Sequence, residues 1–417
     1  MKILVTGGLG YIGSHVTVLL LESGVEVLSI DNLENSNIEV LDRIKEITGK
    51  TPVFELLDLK DKDRTQDLFK KHTDIDGVIH FAAYKAVGES ILRPIEYYKN
   101  NIGGLLNLLE PLSQFNIPLI FSSSCTVYGQ ALKLPIDENA PVQPATSPYG
   151  STKQIGEQII KDCCQVNKDF KSIILRYFNP VGAHPTSKIG EYPKGIPQNL
   201  VPFLTQAVIG KRLTLEVFGK DYNTPDGTCI RDYIHVMDLA QAHIESIYYL
   251  ISSNQNFSYE TFNVGTGKGS SVLEVIKAFE KTTGESVPYK FSKPRTGDTT
   301  SAYADVRKIQ NKMGWKAKYS LEAALQSAWN WEKEIDKNFI YMIYGVLLLI
   351  PSGLFISFKI NIHPWFDKND FGHLLLILAM LLYFKSIKSY SKIVVNKQSC
   401  CLLYTSDAAD DTPCVDL

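Results

Sequence analysis

The segment ILVTGGLGYIG, residues 3–13, joins a short apolar run to three evenly spaced glycines. The run is β-branched, as in a buried strand, and Gly7, Gly10 and Gly13 follow it. A helix is predicted next, over Ser14–Ser23. Glycines at such a junction let the backbone turn tightly and approach a pyrophosphate, while the first helical turn offers free N–H groups and partial positive charge. The segment therefore predicts a dinucleotide-binding strand–loop–helix unit.

Short apolar runs and helix-length segments continue to alternate up to about residue 180. After residues 3–5, the predicted buried strands are Val25–Ile30, Val53–Phe54, Gly77–Phe81, Leu119–Ser123 and Ile173–Tyr177. Helix-length segments such as Pro94–Ser113 separate them. The alternation predicts an α/β fold with a doubly wound parallel sheet of Rossmann type.

Composition divides the chain into four predicted regions. Residues 1–180 form a dinucleotide-binding domain, and 181–338, richer in Pro and Gly, form a smaller mixed α/β substrate domain. Residues 339–400 contain 19 residues without a charge, 340–358, and a second apolar run within 374–384. Because about 20 apolar residues span a bilayer, a membrane hairpin with cytoplasmic ends is one interpretation, and a fused or misread downstream sequence is the other. Residues 401–417 resemble translated cloning sequence and are set aside.

The overall composition excludes several classes of protein. The 43 Lys and Arg against 45 Asp and Glu give a net charge of −2, which offers no electrostatic basis for nucleic-acid binding. The seven cysteines lack metal or disulfide spacing, and no secretory signal opens the chain, so a reducing, cytoplasmic compartment is expected. His80, His184 and His235 are not spaced as metal ligands, and no metal is predicted.

Two carboxylates follow predicted strands. Asp31, 18 residues after Gly13, ends the second strand, where it can accept hydrogen bonds from the adenosine ribose. The same carboxylate would repel a 2′-phosphate, so NAD is favoured over NADP. Asp58 follows the third strand and has two interpretations, an acceptor for the adenine amino group or the N-cap of the next helix.

A tyrosine and a lysine stand four residues apart in the segment Tyr149–Lys153. On a helix, this spacing places both on one face. A nearby ammonium group and an oxidised nicotinamide ring would both favour the phenolate. Ser122–Ser124 end the preceding strand, where a hydroxyl can hydrogen-bond a substrate oxygen while the tyrosine takes its proton.

These motifs together resemble the extended short-chain dehydrogenase/reductase superfamily. The stretches that carry the resemblance are Thr6–Gly13, Asp31-Asn32, Asp58, His80–Ala83, Ser122–Ser124 and Tyr149–Lys153. Others are similar, more narrowly, to the UDP-glucose 4-epimerase family, namely Ala86–Ser90, Glu96–Tyr98, Arg176–Pro180, Asp226–Thr228, Arg231–Val236 and Asn263–Gly267. The resemblance covers residues 1 to about 338 and leaves out the tail.

The resemblance implies a role for each matching residue. Tyr149 would be the base, Lys153 would bind the nicotinamide ribose and lower the pKa of the tyrosine, and Ser124 would orient the sugar oxygen. The implied NAD-binding residues are Gly7, Gly10, Tyr11, Ile12, Gly13, Asp31, Asn32, Asn35, Asp58, Leu59, Phe81, Ala82, Lys85, Asn101, Tyr149, Lys153 and Tyr177. The implied substrate-binding residues are Ser124, Tyr149, Asn179, Asn199, Leu200, Phe218, Arg231, Tyr233, Arg295, Asp298 and Ala302.

The resemblance also implies a reaction, the inversion of C4 of a UDP-hexose through a transient 4-keto sugar, and a homodimer. The chain departs from the family pattern at Ala83 and Tyr84, on the cofactor side, where many members carry glycine and a small aliphatic residue. It departs again at Ala302, where members restricted to plain hexoses carry tyrosine. A tyrosine-to-alanine difference frees on the order of 100 Å³, so 2-acetamido sugars are expected substrates as well.

Other interpretations of the sequence stay open. UDP-glucuronate epimerases and decarboxylases share the chemistry, and a membrane-anchored, non-catalytic nucleotide-binding module is an alternative from another class. A 4,6-dehydratase would require an acid beside the strand-end serine, where this chain has Cys125 and Thr126.

Overall fold

The computed structural model describes residues 1–252, 257–294, 299–357 and 373–382. The chain divides into two compact units, Met1–Glu332 and Lys333–Leu417. The finer division at residue 180 remains a prediction. Arg295 and Asp298, both predicted to bind substrate, lie outside the described residues.

In the part of the chain that the structure describes, the strands are short and all lie within residues 2–302. They are β1 Lys2–Thr6, β2 Glu26–Asp31, β3 Val53–Leu56, β4 Gly77–His80, β5 Leu119–Ser124, β6 Ser172–Tyr177, β7 Asn179–Val181, β8 Leu215–Phe218, β9 Ile230–Arg231, β10 Tyr233–His235, β11 Tyr259–Val264, β12 Ser270–Ser271, β13 Tyr289–Ser292 and β14 Ser301–Ala302.

The helices fill the segments between the strands. They are α1 Tyr11–Glu22, α2 Val40–Thr48, α3 Lys62–Lys71, α4 Val87–Leu92, α5 Pro94–Tyr98, α6 Gly104–Phe115, α7 Pro148–Val166, α8 Leu200–Val208, α9 Val236–Ser252, α10 Val272–Thr283, α11 Arg307–Met313 and α12 Leu321–Ser357. A π-helical turn, Lys99–Gly103, joins α5 to α6, and a 3₁₀ turn, Cys125–Tyr128, follows β5.

The main sheet has seven parallel strands in the order β11-β6-β5-β4-β1-β2-β3. Strands β1–β6 coincide with the six predicted ones, so the Rossmann-type prediction is confirmed. The seventh strand, β11, was not predicted, and it lies in the region assigned to the substrate domain. Since β1 is flanked by β2 and β4, the chain reverses its direction of winding there, and the carboxyl ends of these strands form the crevice where such sheets bind ligands.

Alternation along the strands supplies one apolar core to each face of the sheet. Ile3 and Val5 pack on one face with residues of α1 and α9, while Leu4 packs on the other with residues of α6 and α7. Both cores contain side chains that are fully buried. The helix after the glycine loop and the helix with the predicted catalytic pair are therefore held on opposite faces.

Smaller sheets lie beyond the main one. β7 pairs with β10, β8 with β13, and β9 lies between β12 and β14. A separate apolar core includes residues of α8, α10 and the start of α12. These short pairings place residues 179, 218, 231, 233 and 302 at strand positions.

After residue 320, the described part of the chain consists of helices. α12 contains Pro351, and residues 373–382 are also helical. Among the residues that the structure describes, no helix combines the length and the apolar character needed to cross a membrane. The remainder of the expected hairpin and the tail over 401–417 lie outside those residues.

Candidate active site

The glycine loop closes so tightly that Gly7 and Gly13 have no room for a side chain. Gly7 has a φ of 66°, and a Cβ there would lie 2.9 Å from the backbone nitrogen of Ala82. A Cβ on Gly13 would lie 2.2 Å from the carbonyl oxygen of Gly7. Gly10 occupies the N-cap position of α1. The loop thus brings bare backbone and the N-terminus of α1 to the crevice, as a pyrophosphate site requires.

Asp31 lies buried at the tip of β2, beside the glycine loop. Its carboxylate accepts hydrogen bonds from the backbone nitrogens of Leu9, at 3.2 Å, and Leu33, at 2.9 Å, and from the hydroxyl of Ser36, at 2.6 Å. Burial raises the pKa of Asp31, and these hydrogen bonds oppose the rise. The carboxylate is therefore fixed in place between two loops of the crevice.

Asp58 is not the N-cap of α3. That position belongs to Asp61, which accepts a hydrogen bond from the backbone nitrogen of Arg64. Asp58 instead accepts from the side-chain nitrogen of Asn32, at 3.2 Å, and from the backbone nitrogen of Lys60, at 2.9 Å. The second and third strand ends are thereby joined on the side of the crevice where Asp31 lies.

Tyr84, the departure from the family pattern, spans two loops. Its hydroxyl donates to Glu34, at 2.6 Å, and its backbone nitrogen donates to Asn101, at 2.8 Å. Asn101 is buried and donates in turn to the hydroxyl of Thr152 on α7, at 3.0 Å. The Tyr84 loop is therefore connected to the helix that carries Tyr149 and Lys153.

Tyr149 lies in the first turn of α7, whose N-cap is Ser147. The Ser147 hydroxyl accepts from the backbone nitrogen of Gly150, at 3.1 Å. Burial raises the pKa of Tyr149 to about 12, and a hydrogen bond from Ser124 opposes the rise. The side chains of the protein alone therefore do not lower the pKa of Tyr149 as expected, because burial outweighs the hydrogen bond from Ser124. The partial positive charge at the N-terminus of α7 would stabilise a phenolate at Tyr149.

Lys153 is buried one turn further along α7. Its ammonium donates to the carbonyl oxygen of Ser122, at 2.7 Å, and lies 4.9 Å from the centre of the Phe121 ring. The same ammonium lies 6.0 Å from the centre of the Tyr149 ring. Burial lowers the pKa of Lys153 to about 8, against the opposing charge of Glu157. The predicted tyrosine, lysine and serine are therefore gathered at the end of β5.

Arg231 and Ala302 face each other on adjacent strands. They are register partners in the pairing of β9 with β14. The neighbouring Asp232 is fully buried. Its carboxylate accepts hydrogen bonds from the backbone nitrogen and hydroxyl of Thr266 and from the backbone nitrogens of Gly267 and Ala304. Its carbonyl accepts from the backbone nitrogen of Asn179, at 2.9 Å. Asn179, Arg231 and Ala302 thus belong to one hydrogen-bonded group of short strands.

Glu191 connects a predicted cofactor residue with a predicted substrate residue. Its carboxylate accepts from Lys85 and from the side-chain nitrogen of Asn199, both at 2.7 Å. The Glu191 carbonyl accepts from the indole of Trp331, at 3.0 Å. Glu191 was not predicted from the sequence, because its neighbours along the chain follow no spacing that marks a site.

The other predicted residues are more widely distributed. The hydroxyl of Tyr11 donates to the carbonyl of Gly182, at 2.7 Å, and the Phe81 ring centre lies 4.7 Å from that of His243. Asn35 is exposed in the loop after β2. The remaining positions are Ile12 in α1, buried Leu59 before α3, Tyr177 at the end of β6, Leu200 at the start of α8, Phe218 at the end of β8 and buried Tyr233 in β10.

Two family profiles match the sequence. That of GDP-mannose 4,6 dehydratase matches residues 4–328, and that of a family of unknown function matches residues 319–392. The second match means that the segment after the enzyme-like region resembles sequences found in other proteins.

Relatives of known name cover most of the chain. The UDP-glucose 4-epimerase of Bacillus subtilis (strain 168) is 47% identical over 333 residues, which are 80% of this chain and 97% of that protein. The crystal structure of UDP-glucose 4-epimerase from Bifidobacterium longum, in complex with NAD+ and UDP, superposes with a TM-score of 0.77 at 44% identity, covering 80% of this chain and 98% of that one. The UDP-Glc/GlcNAc 4-epimerase of Campylobacter jejuni superposes with a TM-score of 0.69 at 37% identity, covering 80% and 99%. With this fold, this site and these relatives, the chain belongs to the UDP-glucose 4-epimerase family.

Proposed function

We propose that this protein interconverts UDP-glucose and UDP-galactose by inverting C4 of the sugar, with NAD as a resident cofactor. One observation carries the proposal: α7 brings Tyr149 and Lys153 to the end of β5, where Ser124 lies, beside the crevice of the glycine loop. The named relatives act on the same class of substrate.

The described residues fit a dinucleotide. The backbone of the glycine loop would hold the pyrophosphate, and Asp31 would accept from the adenosine ribose hydroxyls. Asp58 and Asn32 would lie toward the adenine, with Lys85 and Asn101 nearer the nicotinamide half. When bound, NAD supplies a hydride acceptor and a positive ring, which is the charge that Tyr149 needs because its own surroundings raise its pKa to about 12.

The proton chemistry belongs to three side chains. Ser124 would orient the sugar 4-hydroxyl, and Tyr149 would take its proton as the C4 hydrogen leaves. Lys153 would hold the ribose and stabilise the phenolate with its charge. In the return half-reaction, the hydride would return to the opposite face of C4 and Tyr149 would give the proton back to the sugar oxygen, so no net oxidation occurs.

Inversion requires that the sugar turn while the nucleotide stays fixed. Asn179, Asn199 and Arg231 would hold the UDP, together with Arg295 from outside the described residues. An arginine can bind a diphosphate through two parallel hydrogen bonds, which favours the firm anchoring that rotation of the keto sugar requires.

The proposal extends to 2-acetamido sugars. Ala302 is the register partner of Arg231, so its side chain belongs to the same group of short strands as the proposed UDP anchor. A methyl group there leaves on the order of 100 Å³ more room than a tyrosine. The Campylobacter jejuni relative, named a UDP-Glc/GlcNAc 4-epimerase, is consistent with such a range within the family.

We also propose a cytoplasmic homodimer. Among the described residues Cys125, Cys163, Cys164 and Cys229 are free, which suits a reducing compartment. Large apolar side chains are exposed on the consecutive helices α4–α7, including Leu92, Ile95, Leu106 and Ile155. Apolar surface concentrated on neighbouring helices favours burial against a second copy. The molar mass of the purified protein in solution tests this assignment.

A direct assay tests the catalytic proposal. The purified protein, without added NAD, is incubated separately with UDP-glucose, UDP-galactose, UDP-GlcNAc and UDP-GalNAc, and the C4 epimers are resolved by chromatography and NMR. Each substrate is expected to approach the same equilibrium mixture as its epimer. Absence of an epimer from both plain hexoses, in protein that contains NAD, would refute the proposal.

A further inference from the structure

Three consecutive serines at the end of β5 have three different partners. The hydroxyl of Ser122 lies 3.0 Å from Nε2 of His243 on α9, and that of Ser124 accepts from the backbone nitrogen of Thr126. The hydroxyl of Ser123 donates to Oε1 of Glu157 on α7, at 2.5 Å. Since side chains alternate along a strand, the middle serine faces the catalytic helix while the one before it faces the opposite layer.

Glu157 is bound from two neighbouring strands at once. Arg176 on β6 places Nε 3.0 Å from Oε1 and Nη2 2.5 Å from Oε2 of this carboxylate. Ser123 and Arg176 are register partners in the pairing of β5 with β6. All three side chains are buried, so the carboxylate on α7 is clamped to the ends of both strands.

The clamp lies in line with the proposed catalytic pair. Tyr149, Lys153 and Glu157 follow one another at four-residue intervals on α7, and all three are buried. The helix also approaches β5 closely, because a Cβ on Gly156 would lie 3.0 Å from the Phe121 ring. The position of α7 along β5 therefore determines how far Tyr149 and Lys153 lie from Ser124.

We propose that Glu157 is a positioning residue for this reaction, which fixes α7 on the ends of β5 and β6 through Ser123 and Arg176 and so sets the spacing of the reacting side chains. The inference rests on the proposed function. Glu157 touches neither cofactor nor substrate in this role, and it acts through Tyr149 and Lys153.

The charge of Glu157 adds an electrostatic contribution. Burial lowers the pKa of Lys153, and Glu157 opposes that change. The other groups that face the ammonium are the Ser122 carbonyl and Phe121 ring of β5, the Tyr149 ring of α7 and, electrostatically, His80 of β4. Arg176 faces Glu157 from β6 and packs against the ring of Tyr128. If Glu157 were neutral, Lys153 would lose the negative charge that raises its pKa, and the positive charge of Arg176 would no longer be balanced. Both effects would lower the pKa of Lys153.

The substitution Glu157→Gln tests the proposal in the full chain with its NAD. Wild-type protein is first assayed with UDP-galactose, so that failure of the proposed function is recognised separately. The variant is expected to lose about 10- to 100-fold in kcat per bound NAD, because displacement of reacting groups by about 1 Å has effects of this size. KM is expected to stay within about threefold, and the alkaline limb of the kcat profile to move about one unit lower.

The matched control is Asp162→Asn, which removes an exposed carboxylate from the same helix. Its kcat and pH profile are expected to equal those of the wild type. If Glu157→Gln also equals the wild type in kcat per bound NAD and in pH profile, the positioning role is refuted. A purely structural role would lower the yield of folded enzyme and leave both quantities unchanged.

A second variant decides the matter if Glu157→Gln does not fold. Ser123→Ala keeps the ion pair of Glu157 with Arg176 and removes only the link to β5. We expect its kcat to fall about three- to tenfold at nearly constant KM. An unchanged kcat in folded, NAD-containing Ser123→Ala would overturn the proposal.

Discussion

The ammonium group of Lys153 donates a hydrogen bond to the carbonyl oxygen of Ser122, 2.7 Å away and two residues before Ser124 on the same strand. The lysine on α7 is thus anchored to the backbone of β5 although its side chain is buried. This anchor holds a cation beside the phenol of Tyr149 before any ligand contributes to the site.

Replacement of Lys153 by methionine is expected to lower kcat about 100-fold, because the phenolate of Tyr149 loses the cation that lies beside its ring. Lys161→Met is the matched control, since it removes a cation of α7 that faces the ring of Tyr259 instead. Initial rates with UDP-galactose, per bound NAD, measure both variants. Equal losses in the two variants would contradict the assigned role.

The same lysine predicts the alkaline limit of activity. Its pKa is lowered to about 8, chiefly by burial, so the charged form is present below that pH and is lost as the pH rises through it. Wild-type kcat is therefore expected to fall on the alkaline side of about pH 8. A plateau extending to pH 10 in stable enzyme would show that Lys153 need not be charged.

A comparison of alanine substitutions at Gly7 and Gly49 distinguishes a steric clash from backbone strain. Both have positive φ, 66° and 70°, but an added Cβ meets the backbone of Ala82 at Gly7 and open space at Gly49. Gly49→Ala should cost about 1 kcal/mol of unfolding free energy and leave NAD bound. Gly7→Ala should cost more and release NAD during gel filtration. The assignment of the glycine loop is wrong if Gly7→Ala retains NAD as well as Gly49→Ala does.

Ala302→Tyr is expected to suppress conversion of UDP-GlcNAc by at least about tenfold while UDP-galactose is converted within threefold of the wild-type rate, because the added volume opposes only the larger sugar. The two substrates are compared in one preparation, so each serves as the control for the other. Equal losses for both sugars would place Ala302 outside the sugar pocket.

Buried histidines, among them His15, His80 and His243, predict that the folded protein loses stability in acid. Burial lowers the pKa of His15 and His80 to about 3 and that of His243 to about 4. The unfolded chain takes up these protons near pH 6.5 and the folded chain does not, so stability that is full above pH 6.5 is lost as the pH falls. Each histidine is expected to remove about 2 kcal/mol between pH 7 and pH 5.

Urea unfolding of the wild type and of His15→Asn at pH 7 and pH 5 checks this expectation. Carboxylates contribute to acid sensitivity in both proteins, so the difference between the two isolates the histidine. The variant should lose about 2 kcal/mol less than the wild type over this range. An equal loss in both proteins would mean that His15 is charged in the folded state.

The elements nearest the amino terminus were predicted best, for a physical reason. Apart from the edge strand β3, the strands β1–β6 are buried on both faces, so each of them leaves a short apolar run bounded by polar residues or glycine. Strand β11 begins with the half-buried Tyr259, Glu260 and Thr261, so its sequence resembles that of a loop. It joins the sheet beside β6 through a pairing between distant segments, which local pattern does not specify.

The residues of the candidate site were predicted from the sequence, but the hydrogen bonds and ion pairs between them were not. Motif spacing predicts roles for Gly7, Asp31 and Tyr149, because each function requires a residue type at a fixed position. Glu157 and Glu191 act by contacts with side chains far away in sequence, so their sequence neighbours gave no signal. The direction of the Tyr149 pKa was also missed, because burial depends on the packed structure.

Turnover by Tyr149→Phe is the most direct measurement of the central claim, that this phenol moves the proton of the sugar 4-hydroxyl. The substitution removes one oxygen atom and keeps the buried ring. With bound NAD and UDP affinity unchanged, the rate of UDP-galactose conversion is expected to fall about 1,000-fold. A rate within threefold of that of the wild type would contradict the account.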